Sequence, residues 1–448
     1  MKIFSYLLLV LLFVPTTAVS QRISKESEIK KMISEISEKR LESDVRKLVS
    51  FGTRNTNSVQ DDPTRGIGAA RDWLFEEFKK ISAACGNCLE VEKQSFLQPQ
   101  ASRVPKPINL TNVIATLRGG KDPDRIYVVS GHYDSMCGNP ADGECEAPGA
   151  NDDASGTAAV LELARVMSKR QFDATIVFMA VAGEEQGLLG AAYYAQQALE
   201  KKMNIEAMMT NDIIGGVTTF KDAPNRQTMR VFSEGVPSNE SPAEANIRRG
   251  TGGENDSQSR QLARFIKESA EMFSPKFKAT IIYRRDRYLR GGDHIPFLER
   301  GFSAVRFSET NEDYDHQHQN VRTENGKVYG DLPEFVDYGY VANVTKVNLA
   351  SLARLAYGPG RPLGVGMVTA RLGNDTELKW ERSKESDVVG YEIVWRETSS
   401  PVWTDSTFVG DVANHIMKAM SKDNYFFGVR AVDKDGNKSQ VSFPRPVR

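Results

Sequence analysis

Short β-rich runs alternate with helical stretches in the first half of the chain, and this alternation most narrows the folds open to it. Residues 112–118, 125–130 and 175–180 are strand-like, and residues 157–168 between the last two have helical character. Two earlier segments, residues 26–50 and 68–81, carry apolar residues at helical spacing, the second with Trp73, Leu74 and Phe78. The pattern predicts an α/β domain: a mixed, mostly parallel central sheet flanked by helices.

A Pro- and Gly-rich segment, residues 359–364, follows an Ala- and Leu-rich stretch that ends near Tyr357. A boundary is expected there, with one domain over residues 21–358 and a second over residues 363–448. In the second, strand-like runs at 378–380, 389–395, 407–409 and 425–431 are separated by turn-rich pieces, which predicts a small all-β sandwich. With Trp380 early, Gly390-Tyr391-Glu392-Ile393 in the middle and residues 424–439 late, this segment resembles a fibronectin type III domain. The resemblance implies an accessory role, such as binding an unknown protein or matrix ligand.

Lys2, the apolar run 4–14 and a small-residue stretch ending at Ser20 read as a secretory signal peptide over residues 1–20, giving export to the periplasm or the medium. No later segment is long and apolar enough to span a membrane. Four cysteines in an exported chain form two close pairs, Cys85 with Cys88 and Cys137 with Cys145, and two local disulfides are expected. With 58 basic and 59 acidic residues the net charge is -1, which gives no reason to expect nucleic acid as a partner.

Histidine is scarce: only His132, His294, His316, His318 and His415 occur. His132 follows a strand-like run in Gly131-His132-Tyr133-Asp134-Ser135, where an open α/β sheet places its ligand crevice, and Asp134 is spaced to hold the imidazole's far nitrogen. Asp152 and Asp153 stand among small residues just before a helix, where a carboxylate's two oxygens can each hold one ion. Glu184 and Glu185 close the run 175–180, and adjacent acids in a crevice call for cations. Asp212 sits inside an apolar run with no Lys or Arg nearby in sequence, although a buried carboxylate needs a partner. Each motif alone is also readable as a solvated loop or a helix cap. Their repeated placement at the ends of successive β-like runs points to one site.

In that order, His132-x-Asp134-Ser135, Asn151-Asp152-Asp153-Ala154-Ser155-Gly156, Gly183-Glu184-Glu185-x-Gly187-Leu188-x-Gly190-Ala191 and Asp212-Ile213-Ile214-Gly215 resemble the dizinc aminopeptidase family, which also contains glutamate carboxypeptidase II and the glutaminyl cyclases. The resemblance spans roughly residues 40 to 355. It implies the zinc-exopeptidase fold and two Zn²⁺ ions per chain. Asp152 would bridge them; His132 and Asp212 would complete one shell, and Glu185 with a late histidine the other. Glu184 would be the general base, with Asp134 orienting His132 and Asp153 supporting the site. Tyr314-Asp315-His316-Gln317-His318-Gln319-Asn320 departs from the family's His-Thr-x-x-Asp and leaves two candidates for the late ligand, of which His318 is preferred to His316. Gly292-Asp293-His294-Ile295-Pro296-Phe297 resembles the family's Ser-Asp-His-x-Pro-Phe and marks the substrate side of the crevice.

The implied reaction is hydrolysis of a peptide's N-terminal bond by a water activated between the two ions. Three rivals stand beside it: a glutaminyl cyclase with one zinc; a carboxypeptidase or dipeptidase using Arg284, Arg285, Arg287 or Arg290; and an inactive peptide-binding protein. His415 lies in the sandwich, away from the chemistry.

Overall fold

The structure is a computed structural model, and it describes residues 24–370 and 372–448. The signal peptide expected over residues 1–20 lies outside the described residues.

Eight strands form the central sheet: β1 (Leu89–Gln98), β2 (Ile108–Leu117), β3 (Asp122–His132), β4 (Ala174–Val181), β5 (Asn204–Asn211), β6 (Thr228–Phe232), β7 (Lys278–Ile282) and β8 (Ala304–Glu309). Their spatial order is β1-β2-β4-β3-β5-β8-β6-β7. The central trio β4-β3-β5 and the next pair β5-β8 are parallel, and antiparallel strands flank them, so the sheet is mixed as expected. Every residue of β4 is buried, as a strand covered on both faces requires.

Period-two alternation sends side chains to two cores. Val113, Ala115, Tyr127, Val129, Ile176 and Phe178 face one way, where the helices α2 (Glu38–Val49), α3 (Gly66–Ala84), α4 (Ser155–Met167) and α9 (Tyr338–Tyr357) cover them. Ile114, Val128, Val177 and Met179 face the other, against α5 (Leu189–Glu200) and α8 (Ile295–Glu299). The remaining helices are α1 (Lys25–Ser34), which packs on α9, α6 (Pro242–Thr251), and α7 (Gln258–Phe273) on the β6-β7 side of the sheet. An exposed hairpin, β9 (Arg322–Glu324) and β10 (Lys327–Tyr329), interrupts the chain between the late histidines and α9.

Beyond α9 seven strands make two further sheets. β11 (Gly366–Val368), β12 (Thr376–Lys379), β15 (Asn414–Met417) and β17 (Arg445–Val447) form one; β13 (Val388–Glu397), β14 (Asp405–Gly410) and β16 (Tyr425–Asp433) form the other. Apart from the parallel pair β11-β17, the pairings are antiparallel. Leu378 and Trp380 from one sheet meet Tyr391, Ile393, Phe427 and Val429 from the other in a common core.

This C-terminal module is locked to the rest of the chain. Asp256, beside α7, accepts from Arg264 at 2.8 Å and from Arg396 of β13 at 2.7 Å. Glu268 of α7 pairs with Arg430 of β16 at 3.0 Å and with Arg354 of α9 at 2.9 Å. Both expected disulfides are present, Cys85–Cys88 and Cys137–Cys145. Among the described residues no helix is long and apolar enough to cross a membrane.

Candidate metal centre

The acids and imidazoles converge at the carboxyl ends of β3, β4 and β5, where three parallel strands end side by side. His132 is the last residue of β3, and its imidazole is buried. Thr157 of α4 donates to the His132 carbonyl at 2.9 Å, and the Asp153 carboxylate accepts from the His132 amide at 3.0 Å. Asp153 also receives the amides of Gly156 (3.0 Å) and Ile213 (3.3 Å), so it ties three segments of the site together. A Cβ at Gly156 would lie 2.5 Å from Asp153 Oδ1 and 2.4 Å from the Asn211 carbonyl, and glycine is what lets these groups close in.

Asp152 lies between two imidazoles. Its Oδ1 is 3.1 Å from His132 Nε2 and its Oδ2 is 2.9 Å from His318 Nε2. Two triads share it: His132, Asp152 and Asp212 on one side, and Asp152, Glu185 and His318 on the other, each with its ligand-type atoms within 4.8 Å of one another. Asp212 Oδ1 is 3.8 Å from His132 Nε2, and Glu185 Oε1 is 3.1 Å from His318 Nε2. His316 is elsewhere, stacked on Phe335 with its Nε2 3.6 Å from Asp313, so of the two late histidines only His318 reaches the cluster. His415 is in β15 of the C-terminal sheets.

Two backbone positions in the site are unfavourable for the residues that occupy them. Ile213, next to Asp212, has φ 58° and His318 has φ 55°, the left-handed region that a β-branched residue in particular avoids. Ile213 is held by the Asp153 bond and by its own carbonyl, which accepts from the Glu309 amide at 2.8 Å.

Asp134 offers two groups to His132 Nδ1. The acceptor nearest to His132 Nδ1 is the main-chain carbonyl of Asp134, at 3.1 Å, while its carboxylate is 3.6 Å away. The short i, i+2 loop brings the carbonyl in first. The freed carboxylate accepts from the amides of Glu184 and Glu185, both at 3.2 Å, and thereby holds the turn that carries the two glutamates.

Electrostatics set the cluster's appetite for cations. Burial disfavours a proton on His132, yet the carboxylates of Asp134, Asp152, Asp153 and Asp212 reverse this and raise its pKa well above the ordinary value. Burial likewise opposes charge on His318, but Glu185 and Asp152 push its pKa up to about 11. The Glu184 carboxyl is raised well above the usual range by burial, with Asp212, Glu185 and Asp293 adding to the effect. His132 Nε2 and Asp212 Oδ2 are buried atoms without a hydrogen-bond partner. Three carboxylates and two imidazoles around orphaned donor atoms suit divalent zinc, which takes nitrogen and oxygen ligands together.

Several groups at the site carry no motif. Asp212's missing counter-ion is Arg306 of β8, fully buried, whose Nη2 is 2.9 Å from Asp212 Oδ1 and whose Nη1 is 3.3 Å from Asp286. The need for a partner was visible in the sequence; its position 94 residues away was not. Gln317 donates to Asp152 Oδ2 at 2.9 Å. Asp293 is buried with both carboxylate oxygens unpartnered; burial drives its pKa up to about 8, with Asp134 and Asp212 adding to the effect. The arginines weighed for a substrate carboxylate are engaged within the protein. Arg287 and Arg290 both bind Glu312, Arg285 binds Glu299, and Arg284 lies over the Tyr288 ring.

The chain is similar to known proteins in both sequence and fold. The model of peptidase family M28 matches residues 112–330. A probable zinc metalloprotease of Leptosphaeria maculans is 49% identical over 425 residues, covering 95% of this chain and 98% of its own. A probable zinc metalloprotease of Pyricularia oryzae is 48% identical over 441 residues, covering 96% of this chain and 88% of its own. Among solved structures, the LapA aminopeptidase of Legionella pneumophila superposes with a TM-score of 0.52 at 19% identity, covering 75% of this chain and 76% of that one. An aminopeptidase from Aneurinibacillus sp. strain AM-1 gives 0.51 at 14% identity, covering 73% and 95%. At such identities the two structures speak for the fold.

Proposed function

The chain belongs to peptidase family M28, as a zinc metalloprotease, and from that premise we propose that it is an exported aminopeptidase that removes N-terminal residues from peptides at a two-zinc centre. The observation that carries this reading is the Asp152 carboxylate, with one oxygen toward His132 and the other toward His318. One carboxylate serving two triads is what a bridged pair of ions requires. His132, Asp152 and Asp212 would hold one ion, and Asp152, Glu185 and His318 the other.

When bound, the zinc pair lowers the pKa of water and polarises the scissile carbonyl. Glu184, in the turn held by Asp134, receives the proton from the attacking water and delivers it to the leaving amine. Asp134, through its carbonyl on His132 Nδ1, keeps Nε2 directed at Asp152.

Cleavage at the amino end is favoured over the carboxyl end by charge. A free α-amine suits a centre rich in carboxylates, whereas a terminal carboxylate needs a free cation; of the four arginines, Arg285, Arg287 and Arg290 are paired with acids of the chain itself, and Arg284 lies over the Tyr288 ring. The two disulfides fit an oxidising compartment and support export. The test is a panel of aminoacyl amides and peptides with free or acetylated N-termini, assayed with chelator and after zinc is restored. Cleavage confined to free N-termini, lost on chelation and regained with zinc, is the expected result. Equal cleavage of acetylated peptides would refute the aminopeptidase assignment.

A further inference from the structure

Three consecutive backbone amides leading into Asp152 are received by one residue from a distant segment. The Ala150 amide donates to the main-chain carbonyl of Asp331 at 3.1 Å. The Asn151 amide lies 2.9 and 3.0 Å from the two Asp331 carboxylate oxygens, and the Asp152 amide lies 2.7 Å from Oδ2. Successive amides aimed at one anion form a nest, a favourable site for a buried carboxylate. Asp331 is itself buried, and it enters just after the exposed β9-β10 hairpin.

The same loop is held from its other side by a base. Arg54, fully buried, donates to the carbonyls of Pro148 at 2.6 Å, Gly149 at 2.9 Å and Tyr133 at 2.8 Å. Gly149 has φ 49°, and a Cβ on it would lie 2.5 Å from the Asp152 carbonyl, so the loop is folded tightly on itself. Asp331 receives its amides and Arg54 donates to its carbonyls, so the backbone that carries Asp152 is held from both sides.

We propose that Asp331 is a positioning residue of the metal centre, fixing Asp152 so that its two carboxylate oxygens face His132 and His318. The proposal rests on the reading of Asp152 as the shared zinc ligand. A carboxylate can serve two ions only if its plane is fixed, and a charge-assisted bond of 2.7 Å to the ligand's own amide fixes the backbone from which that plane is set. Asp331 lies one residue past the stretch matched by the family model and 13 residues past His318, outside every motif of the site.

The test uses the full chain with Asp331→Asn, nearly isosteric, and Asp331→Ala. Zinc affinity is read by competition with a chelator, and the melting temperature is read separately on the metal-free protein. Loss of the anion should weaken zinc binding by about 10–100-fold, with the metal-free melting temperature of Asp331→Asn close to that of the parent. Asp331→Asn keeps one acceptor oxygen for the Asp152 amide and should lose less than Asp331→Ala. Parental zinc affinity in Asp331→Asn and Asp331→Ala alike overturns the assignment, as does a loss accounted for by unfolding of the metal-free variant. Asp152→Asn runs alongside: if it too binds zinc like the parent, the metal-centre reading itself fails and the role of Asp331 fails with it.

Discussion

His132 Nε2 lies 3.1 Å from Asp152 Oδ1, although the two residues come from different segments, one ending β3 and the other entering α4. Because the other Asp152 oxygen faces His318, losing Asp152 affects both triads, while losing either histidine affects one. Asp152→Ala is expected to leave purified protein nearly free of zinc. His132→Ala and His318→Ala should each retain about one ion per chain, the number that a closed set of remaining ligands can hold. Elemental analysis of the three variants against the parent checks this, and equal zinc in all of them would show that Asp152 is not shared.

Glu184→Gln removes a proton acceptor but keeps the shape of the side chain and leaves the five groups of the two triads in place. Zinc content should match the parent while kcat falls by about 100–10,000-fold, the usual contribution of a positioned general base. Steady-state kinetics paired with metal analysis separates the two effects. An unchanged kcat would transfer the role of base to another group, such as Asp293, a buried carboxyl with both oxygens unpartnered.

The parts of this molecule that could be read from its sequence are those where a local pattern carries the physics. Strand β4 is buried on both faces and is therefore a continuous apolar run, and the strands of the C-terminal sheets are set off by turn residues. His132, Asp152, Glu185 and Asp212 were visible as polar groups at the ends of apolar runs, and the structure brings them together with His318. Edge strand β1 was not visible, because Leu89–Gln98 is largely exposed and its charged residues read as surface. Arg306 and Asp331 could not be found either. Each acts through a partner more than 90 residues away, and nothing in the local pattern distinguishes a buried Arg or Asp from a solvated one. Asp134 was found, but which of its oxygens faces His132 depends on loop geometry that spacing alone does not convey.

Arg306 neutralises Asp212 and Asp286 and is itself fully buried. Arg306→Met, similar in length but uncharged, should destabilise the metal-free protein by about 3–5 kcal/mol, the usual consequence of leaving a buried charge unpaired. Zinc at the site would supply part of the missing positive charge to Asp212, so the loss should shrink when zinc is present. Denaturant unfolding with and without zinc measures both. A loss independent of zinc would mean that Arg306 matters to Asp286 alone.

Asp44 lies on α2 with only 8% of its surface exposed, and its closest cation is Arg40 at 3.9 Å. Burial pushes its pKa up to about 7; Arg40 opposes this, and the charges of Glu77 and Glu162 add to it. The folded protein thus holds this proton at pH values where the unfolded chain, near 3.8, has released it. Stability from this group is full below the unfolded value, declines as pH rises toward 7, and stays low above that. Asp44→Asn should therefore raise stability at about pH 8 by roughly 2–4 kcal/mol and change it little near pH 4. Melting temperatures across that range check the sign, and a variant less stable at pH 8 would contradict it.

Whether the C-terminal sheets are an appendage or part of the folding unit turns on Asp256. Its carboxylate receives Arg264 of α7 and Arg396 of β13, and both guanidiniums are almost wholly buried, at 5% and 2% exposure. Trp403 adds a hydrogen bond of 3.0 Å to Gln261 of α7, and its ring lies 5.5 Å from Arg264 and 5.3 Å from Arg396. Asp256→Ala would strand two like charges against each other in a buried interface. A buried pair broken on one side costs about 3–5 kcal/mol, whereas an exposed one costs about 1 kcal/mol or less. The expected result is the larger loss, with tryptophan fluorescence, to which Trp380, Trp395 and Trp403 of the C-terminal module contribute, and far-UV circular dichroism still reporting a single shared unfolding transition in the parent. If the variant loses less than about 1 kcal/mol and the parent's two signals separate, the module folds independently and the interface is only a resting contact.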